Sequence, residues 1–251
     1  MIKLVKKDLK LFFSSRQDMM LTFVLPIIFI TLFAFVFGNM NNSEENHFVS
    51  LVHSVAGTSV MMLLFSVAGI GGSILDEKHE GMLKKLLCSP IPPHYILFGK
   101  MLFANIISIL QLSIMFIYAW LFFGLDIMRH LPSLVLIIFT IAFACSGFGV
   151  VLATFAKTRQ QVQGFSTIIV LVMSCIGGSM IPLFVMPEII QKIAVVSVNY
   201  WGIQGIYDIF WKLLPLTDST FLSRVFVLFC MGSFLNIIAL LMFKRNILKI
   251  V

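Results

Sequence analysis

Charge is what this sequence has least of. Asp, Glu, Lys and Arg make up 12% of its 251 residues, against roughly 25% in soluble domains. Hydrophobic residues make up 59% and mean hydropathy is +1.03, which excludes an ordinary soluble domain and indicates an integral membrane protein. Long polar stretches are missing as well, leaving no room for a soluble catalytic domain beside the apolar runs. Only four cysteines occur, Cys88, Cys145, Cys175 and Cys230, and none falls in a candidate external loop. No disulfide framework is implied. The net charge of +7 lies beside apolar runs rather than on a soluble face, which argues against nucleic acid and for topology signals.

What is there is membrane-spanning text. A helix needs about 20 predominantly apolar residues to cross the hydrocarbon, and six stretches qualify: about 19–39, 48–75, 95–124, 133–156, 162–180 and 221–243. The expected fold is all-α and polytopic, one transmembrane domain over 1–251. Residues 1–18 read as an interfacial helix, because Ile2, Val5, Leu9, Phe12 and Phe13 recur near helical spacing opposite most of the lysines. The run "MMLTFVLPIIFITLFAFVFG" exceeds a signal core of about 7–15 residues and has no small-x-small cleavage site, so it reads as an uncleaved first span. Residues 181–220 are apolar but broken by Pro182, Pro187, Gly202, Gly205 and Pro215.

Basic residues set the orientation. Fourteen Lys and Arg fall in the N-terminus, the 76–94 break with Lys100, the break at Lys157 and Arg159, and the C-terminus; four fall in the alternate loops. Both termini are therefore expected in the cytoplasm of a multi-pass protein of the cell (inner) membrane. Trp120, Tyr200, Trp201, Tyr207 and Trp211 fall near the expected outer ends, as interfacial anchors do. Core packing is the alternative for any one of these rings.

Catalytic and carrier chemistry is largely missing. The middles of the spans hold no Asp, Glu, Lys, Arg or His, which weighs against an ion-coupled carrier, although backbone carbonyls at broken helices could still hold Na⁺. "HEGML" at 79–83 has Leu83 where a second zinc ligand would stand, and "FGKM" at 98–101 lacks the rest of a phosphate-binding loop. No catalytic residue and no metal or nucleotide site is expected in this chain, so any energy source belongs to a partner.

The stretch "DEKHEGMLKKLLCSPIPPHYILFGK", 76–100, holds the densest charge. Asp76, Glu77 and Glu80 precede Lys84 and Lys85, the favourable sense for a helix dipole. Met82, Leu83, Leu86 and Leu87 give an apolar face, and "SPIPP" stops the helix. Residues 76–94 thus read either as a short lever parallel to the membrane or as a solvated connection.

This stretch resembles the signature of type-2 ABC transporter permeases, through Glu77, Glu80, Gly81, Leu86, Leu87, Ser89, Pro90, Gly99 and Lys100; Met82 stands where that family usually has Thr or Ser. "GGSMIPLFVMPEIIQKIAVVSVNYWGIQGIYDIFW" is similar to the family's segment after the fifth span. The resemblance implies a permease subunit of an ATP-driven exporter, pairing with a second permease copy, identical or related, and docking a cytoplasmic ATPase that carries the ATP and Mg²⁺. It further implies that Asp76, Glu77, Glu80, Gly81, Leu83, Lys84, Lys85, Leu86, Ser89 and Pro90 form the ATPase-coupling segment. Gly177, Gly178, Pro182 and Pro187 would form a re-entrant outer gate. The uncharged path suits an amphiphilic or lipid-like substrate, such as a drug, antimicrobial peptide, lipid or lipid-linked glycan. The alternatives are an ion-coupled carrier and a non-transporting membrane module.

Overall fold

A computed structural model describes residues 2–39, 44–88 and 92–243. Every regular element among them is helical: α1 (Ile2–Ser14), α2 (Arg16–Met19), a π turn (Met20–Val24), α3 (Leu25–Asn39), α4 (Glu44–His79), α5 (Met82–Leu87), α6 (Pro93–Phe123), α7 (Leu131–Phe155), α8 (Arg159–Ile176), a 3-10 turn (Leu183–Val185), α9 (Glu188–Ala194), α10 (Val198–Phe210) and α11 (Ser219–Met242).

Local chemistry sets these bounds. Proline at the first position of α6 loses no helical hydrogen bond, and Gly124 closes that helix with φ 68°, its N–H reaching the carbonyls of Ala119 and Trp120. Thr158 caps α8 by accepting from Gln161 N–H, and Asp218 caps α11 by accepting from Thr220 N–H. The π turn stands just ahead of Pro26, whose ring crowds the carbonyl four residues back, at Thr22, and widens the helix there. As a result α2, the π turn and α3 run as one rod, and the first span begins at Arg16 rather than at residue 19.

Among the described residues five helical segments are long and apolar enough to cross a membrane: Arg16–Val36, Phe48–His79, Tyr95–Phe123, Leu131–Phe155 and Ser219–Met242. The expected span at 162–180 corresponds to α8, whose 18 residues open on Arg-Gln-Gln. The bundle is built around α4 and α7, the most buried of the spans; the first and last spans keep most of their surface outside. α7 packs along both α4 and α11. At Gly71 and Gly149 the α4 and α7 backbones touch: a Cβ on Gly149 would collide with the Val67 carbonyl, and one on Gly71 with the Gly149 carbonyl. Such small-residue crossings let helices pack closely where lipid offers no hydrophobic drive.

α4 has 36 residues, about 54 Å at 1.5 Å per residue, well beyond roughly 30 Å of hydrocarbon. It therefore joins two distinct ends of the bundle. One carries α1 and α5, the other α9 and α10.

Candidate functional site

At the α5 end, four charged side chains from three helices meet, three of them buried. Lys100, on α6, donates to Glu77 Oε1 on α4 at 2.8 Å and lies 2.9 Å from Asp8 Oδ2 on α1. Lys7 donates to the same Glu77 oxygen at 2.8 Å and stands 3.2 Å from Asp8 Oδ1. Lys100, Asp8 and Glu77 are all buried. Buried charges persist only when paired, so two anions facing two cations clamp the interfacial helix to the ends of two spans. Burial works against the charge on Lys7, but the adjacent Glu77 and Asp8 outweigh it and hold its pKa above the ordinary lysine value. Asp8 was missed in the sequence; its one signal is that it is the sole acid of α1.

The coupling segment differs from its sequence reading in three respects. Asp76 and Glu77 belong to the last turn of α4. α4 and α5 are separated by Gly81, whose φ of 71° is the left-handed conformation that favours glycine. Glu77, expected in the ATPase-coupling segment, is engaged inside the clamp, and Leu83, expected in the same segment, is 1% exposed against Ile74, Ile96, Leu97 and Met101. A short helix beside a bundle buries its leucines inward first. Leu86 packs partly against the same cluster, while Glu80 and Lys85 are exposed. Lys84 lies on α5, and Ser89 and Pro90 lie outside the described residues. Met82, the departure from the family pattern, places its sulfur 3.5 Å from Lys7 Nζ.

Asp76 accepts from Arg159 at 2.6 Å, tying the start of α8 to α4; Arg159 also lies 3.7 Å from Asp18. Between these elements opens a groove of about 780 Å³, lined by α1, α2, the π turn, α3, α4, α5, α6 and α8. Phe12, Phe29, Met62, Phe65 and Phe103 line its apolar part, and Thr22, Ser66 and Gln163 add polar points.

At the α10 end, Gly177 ends α8 and Gly178 turns the chain at φ 86°, packed against Leu183. Pro182 and Pro187 directly precede the 3-10 turn and α9. Asn199 Nδ2 donates to Ser174 Oγ at 2.9 Å, joining α10 to the end of α8. Asp208, fully buried, is held by Lys212 at 2.9 Å and by Arg224 of α11. Sequence reasoning counted Lys212 and Arg224 only as loop charges; the four-residue spacing from Asp208 to Lys212 was the available signal. Tyr207 is no surface anchor. It is 4% exposed and shares a hydrogen bond with His53, which lies buried on α4. Trp120 and Trp211 are exposed, and Tyr200 and Trp201 are half-buried. Among the described residues no three His, Cys, Asp or Glu side chains are grouped to hold a metal ion.

An all-helical bundle with five membrane-length helices among the described residues is the architecture of an integral membrane protein. A model of the ABC-2 type transporter family matches residues 1–211, and the chain belongs to that family. It is 25% identical over 210 residues to the inner membrane transport permease YadH of Escherichia coli, covering 75% of this chain and 77% of that protein. It is 22% identical over 204 residues to the putative transport permease YvfS of Bacillus subtilis, covering 74% and 75%. With the linearmycin resistance permease protein LnrN of Bacillus subtilis it shares 22% identity over 163 residues, 65% of this chain; the match spans only 42% of LnrN.

Proposed function

We propose that this chain is the membrane subunit of an ATP-driven exporter of amphiphilic or lipid-like substrates, working as a pair of permease copies with a cytoplasmic ATPase that binds the ATP and Mg²⁺. Six crossings fit the bundle: α8 starts at the Asp76 level through Arg159 and ends at the Asn199 level through Ser174, so it runs between the two ends that α4 joins. Its 18 residues supply about 27 Å, close to the hydrocarbon thickness. On this reading both termini are cytoplasmic, and the turn at Gly177 and Gly178 with α9 and α10 is the outer gate.

The observation that carries the reading is the clamp. α5 is six residues long and could not resist a push by itself. Leu83 and the Lys7, Asp8, Glu77 and Lys100 cluster fix the adjoining turn to α1, α4 and α6, so force applied at Glu80 and Lys85 reaches two spans together. The test is ATPase stimulation in a reconstituted complex with the ATPase subunit. Glu80→Lys with Lys85→Glu is expected to abolish association and amphiphile-stimulated hydrolysis; unchanged association and transport would remove the docking assignment. The name of LnrN, a resistance permease, favours export over uptake.

A further inference from the structure

α1 spends most of its apolar face on the bundle. Val5 and Phe12 are buried, and with Leu9 they pack against Ile70, Phe103, Ala104 and Ile107 of α4 and α6. Asp8 is held by Lys100 on the same side, and Leu4 closes over Gly99 so tightly that a Cβ there would stand 2.8 Å from a Leu4 methyl. What faces outward is a row of three lysines. Lys3, Lys6 and Lys10 are exposed, and at 3.6 residues per turn they fall within about 60° of one another around the helix. None of the three forms an ion pair among the described residues; Asp8 and Glu77 are taken by Lys7 and Lys100.

The depth of this row follows from what holds α1. Only Ser15 separates the helix from the first span, and its extended backbone (φ −85°, ψ 103°) interrupts the chain just before that span opens at Arg16. The clamp fastens the middle of α1 to Glu77, in the last turn of the span that closes at His79. α1 therefore lies at the level where spans end. Beside the lysines, Ile2 and Phe13 follow on one flank and Leu11 on the other, all of them exposed.

A free amphipathic helix holds to lipid by its apolar face. With Val5, Leu9 and Phe12 turned into the bundle, the contact of α1 with a membrane surface rests on its lysines, whose long stems can lie along apolar neighbours while the ammonium groups reach outward. Such a row is attracted by net negative headgroups. We propose that the outer face of α1 binds anionic phospholipids, with Lys3, Lys6 and Lys10 on the headgroup charge and Ile2 and Phe13 against the upper acyl chains. An acidic protein surface would satisfy the lysines equally well. The exposed Ile2 and Phe13 favour lipid, because a phospholipid offers charge and hydrocarbon together at the level where spans end. The assignment holds whichever substrate the chain moves.

Native mass spectrometry of the full chain, released from detergent containing equimolar phosphatidylglycerol and phosphatidylcholine, reads the retained lipids directly. The anionic lipid is expected to be retained on the order of tenfold over the zwitterionic one. Lys3→Gln, Lys6→Gln and Lys10→Gln together should bring that ratio near unity without moving the melting temperature, since all three side chains are exposed. Lys85→Gln with Lys192→Gln, exposed cations on α5 and α9, should leave the ratio as it was. Phe13→Ser should lower retention of both lipids and keep their ratio. Equal retention of the two lipids by the unaltered chain, or a preference that survives the three Gln changes, overturns the proposal. So does a triple variant that keeps the lipid ratio and loses association with the ATPase subunit, because the lysines then serve an acidic protein face.

Discussion

Lys100 is the residue on which the α5 end turns. It is 4% exposed and touches carboxylates on two other helices. Removing one member of a buried ion group strands its partners, which costs about 3–5 kcal/mol. Lys100→Met should therefore lower the melting temperature of the purified protein sharply, and Lys100→Arg should recover part of the loss. A melting temperature unchanged by Lys100→Met would mean the cluster is slack. Lys7 adds a pH dependence. Its pKa lies above the ordinary value of 10.5, so its stabilising contribution is fully present below that value and fades as pH rises through the folded pKa. Between pH 6 and 9, by the same linkage, Lys7 should contribute no slope, and replacing it with Gln should lower stability evenly across that range. At this scale the sequence was only half legible. Glu77 and Lys100 stood out as charges in an apolar chain, yet nothing in their spacing of 23 says that they face each other and not a partner.

Elements were easier to read, because the signals that define them are local. Apolar runs overlap α3, α4, α6, α7 and α11, and the cap residues Gly124 and Asp218 mark one end each of α6 and α11. The misreadings have a common origin in polar residues whose partners come from distant helices. Tyr207 looked like an interfacial ring, and it is buried against His53 of α4. Contact between helices is equally hidden: Gly71 and Gly149 read as ordinary small residues until α4 and α7 are set side by side. Their crossing yields a prediction at the scale of the helix pair. Gly149→Val should prevent assembly of α4 against α7, because the new Cβ meets main chain that cannot rotate away, whereas Gly69→Ala, two residues from Gly71 on the same helix, should be tolerated or slightly stabilising. Size-exclusion profiles of fluorescent fusions would decide this. Equal monodispersity of the two variants would show that the crossing can open.

For the whole molecule the question is which end faces the cytoplasm. α4 is too long to hide either terminus in lipid, so its two ends lie in different aqueous or interfacial layers. The proposed orientation has α1 and α5 inside, on the side where most basic residues fall, and the cysteines provide a reporter. Cys88 is exposed just after α5, Cys145 is buried, and Cys175 and Cys230 are exposed on α8 and α11. A membrane-impermeant maleimide should thus label Cys88 in inside-out vesicles and leave it untouched in intact cells. Lys192→Cys, an exposed position on α9, should show the opposite pattern when Cys88 is replaced by Ser. If both positions were labelled from one side, α5 and α9 would share a face of the membrane. The six-crossing arrangement would then fail, and with it the assignment of α5 as the part that meets the ATPase. The predicted pattern of opposite labelling instead places the clamp and the groove beside it on the side where ATP is available, and the turn at Gly177 and Gly178 on the side to which a substrate would be released.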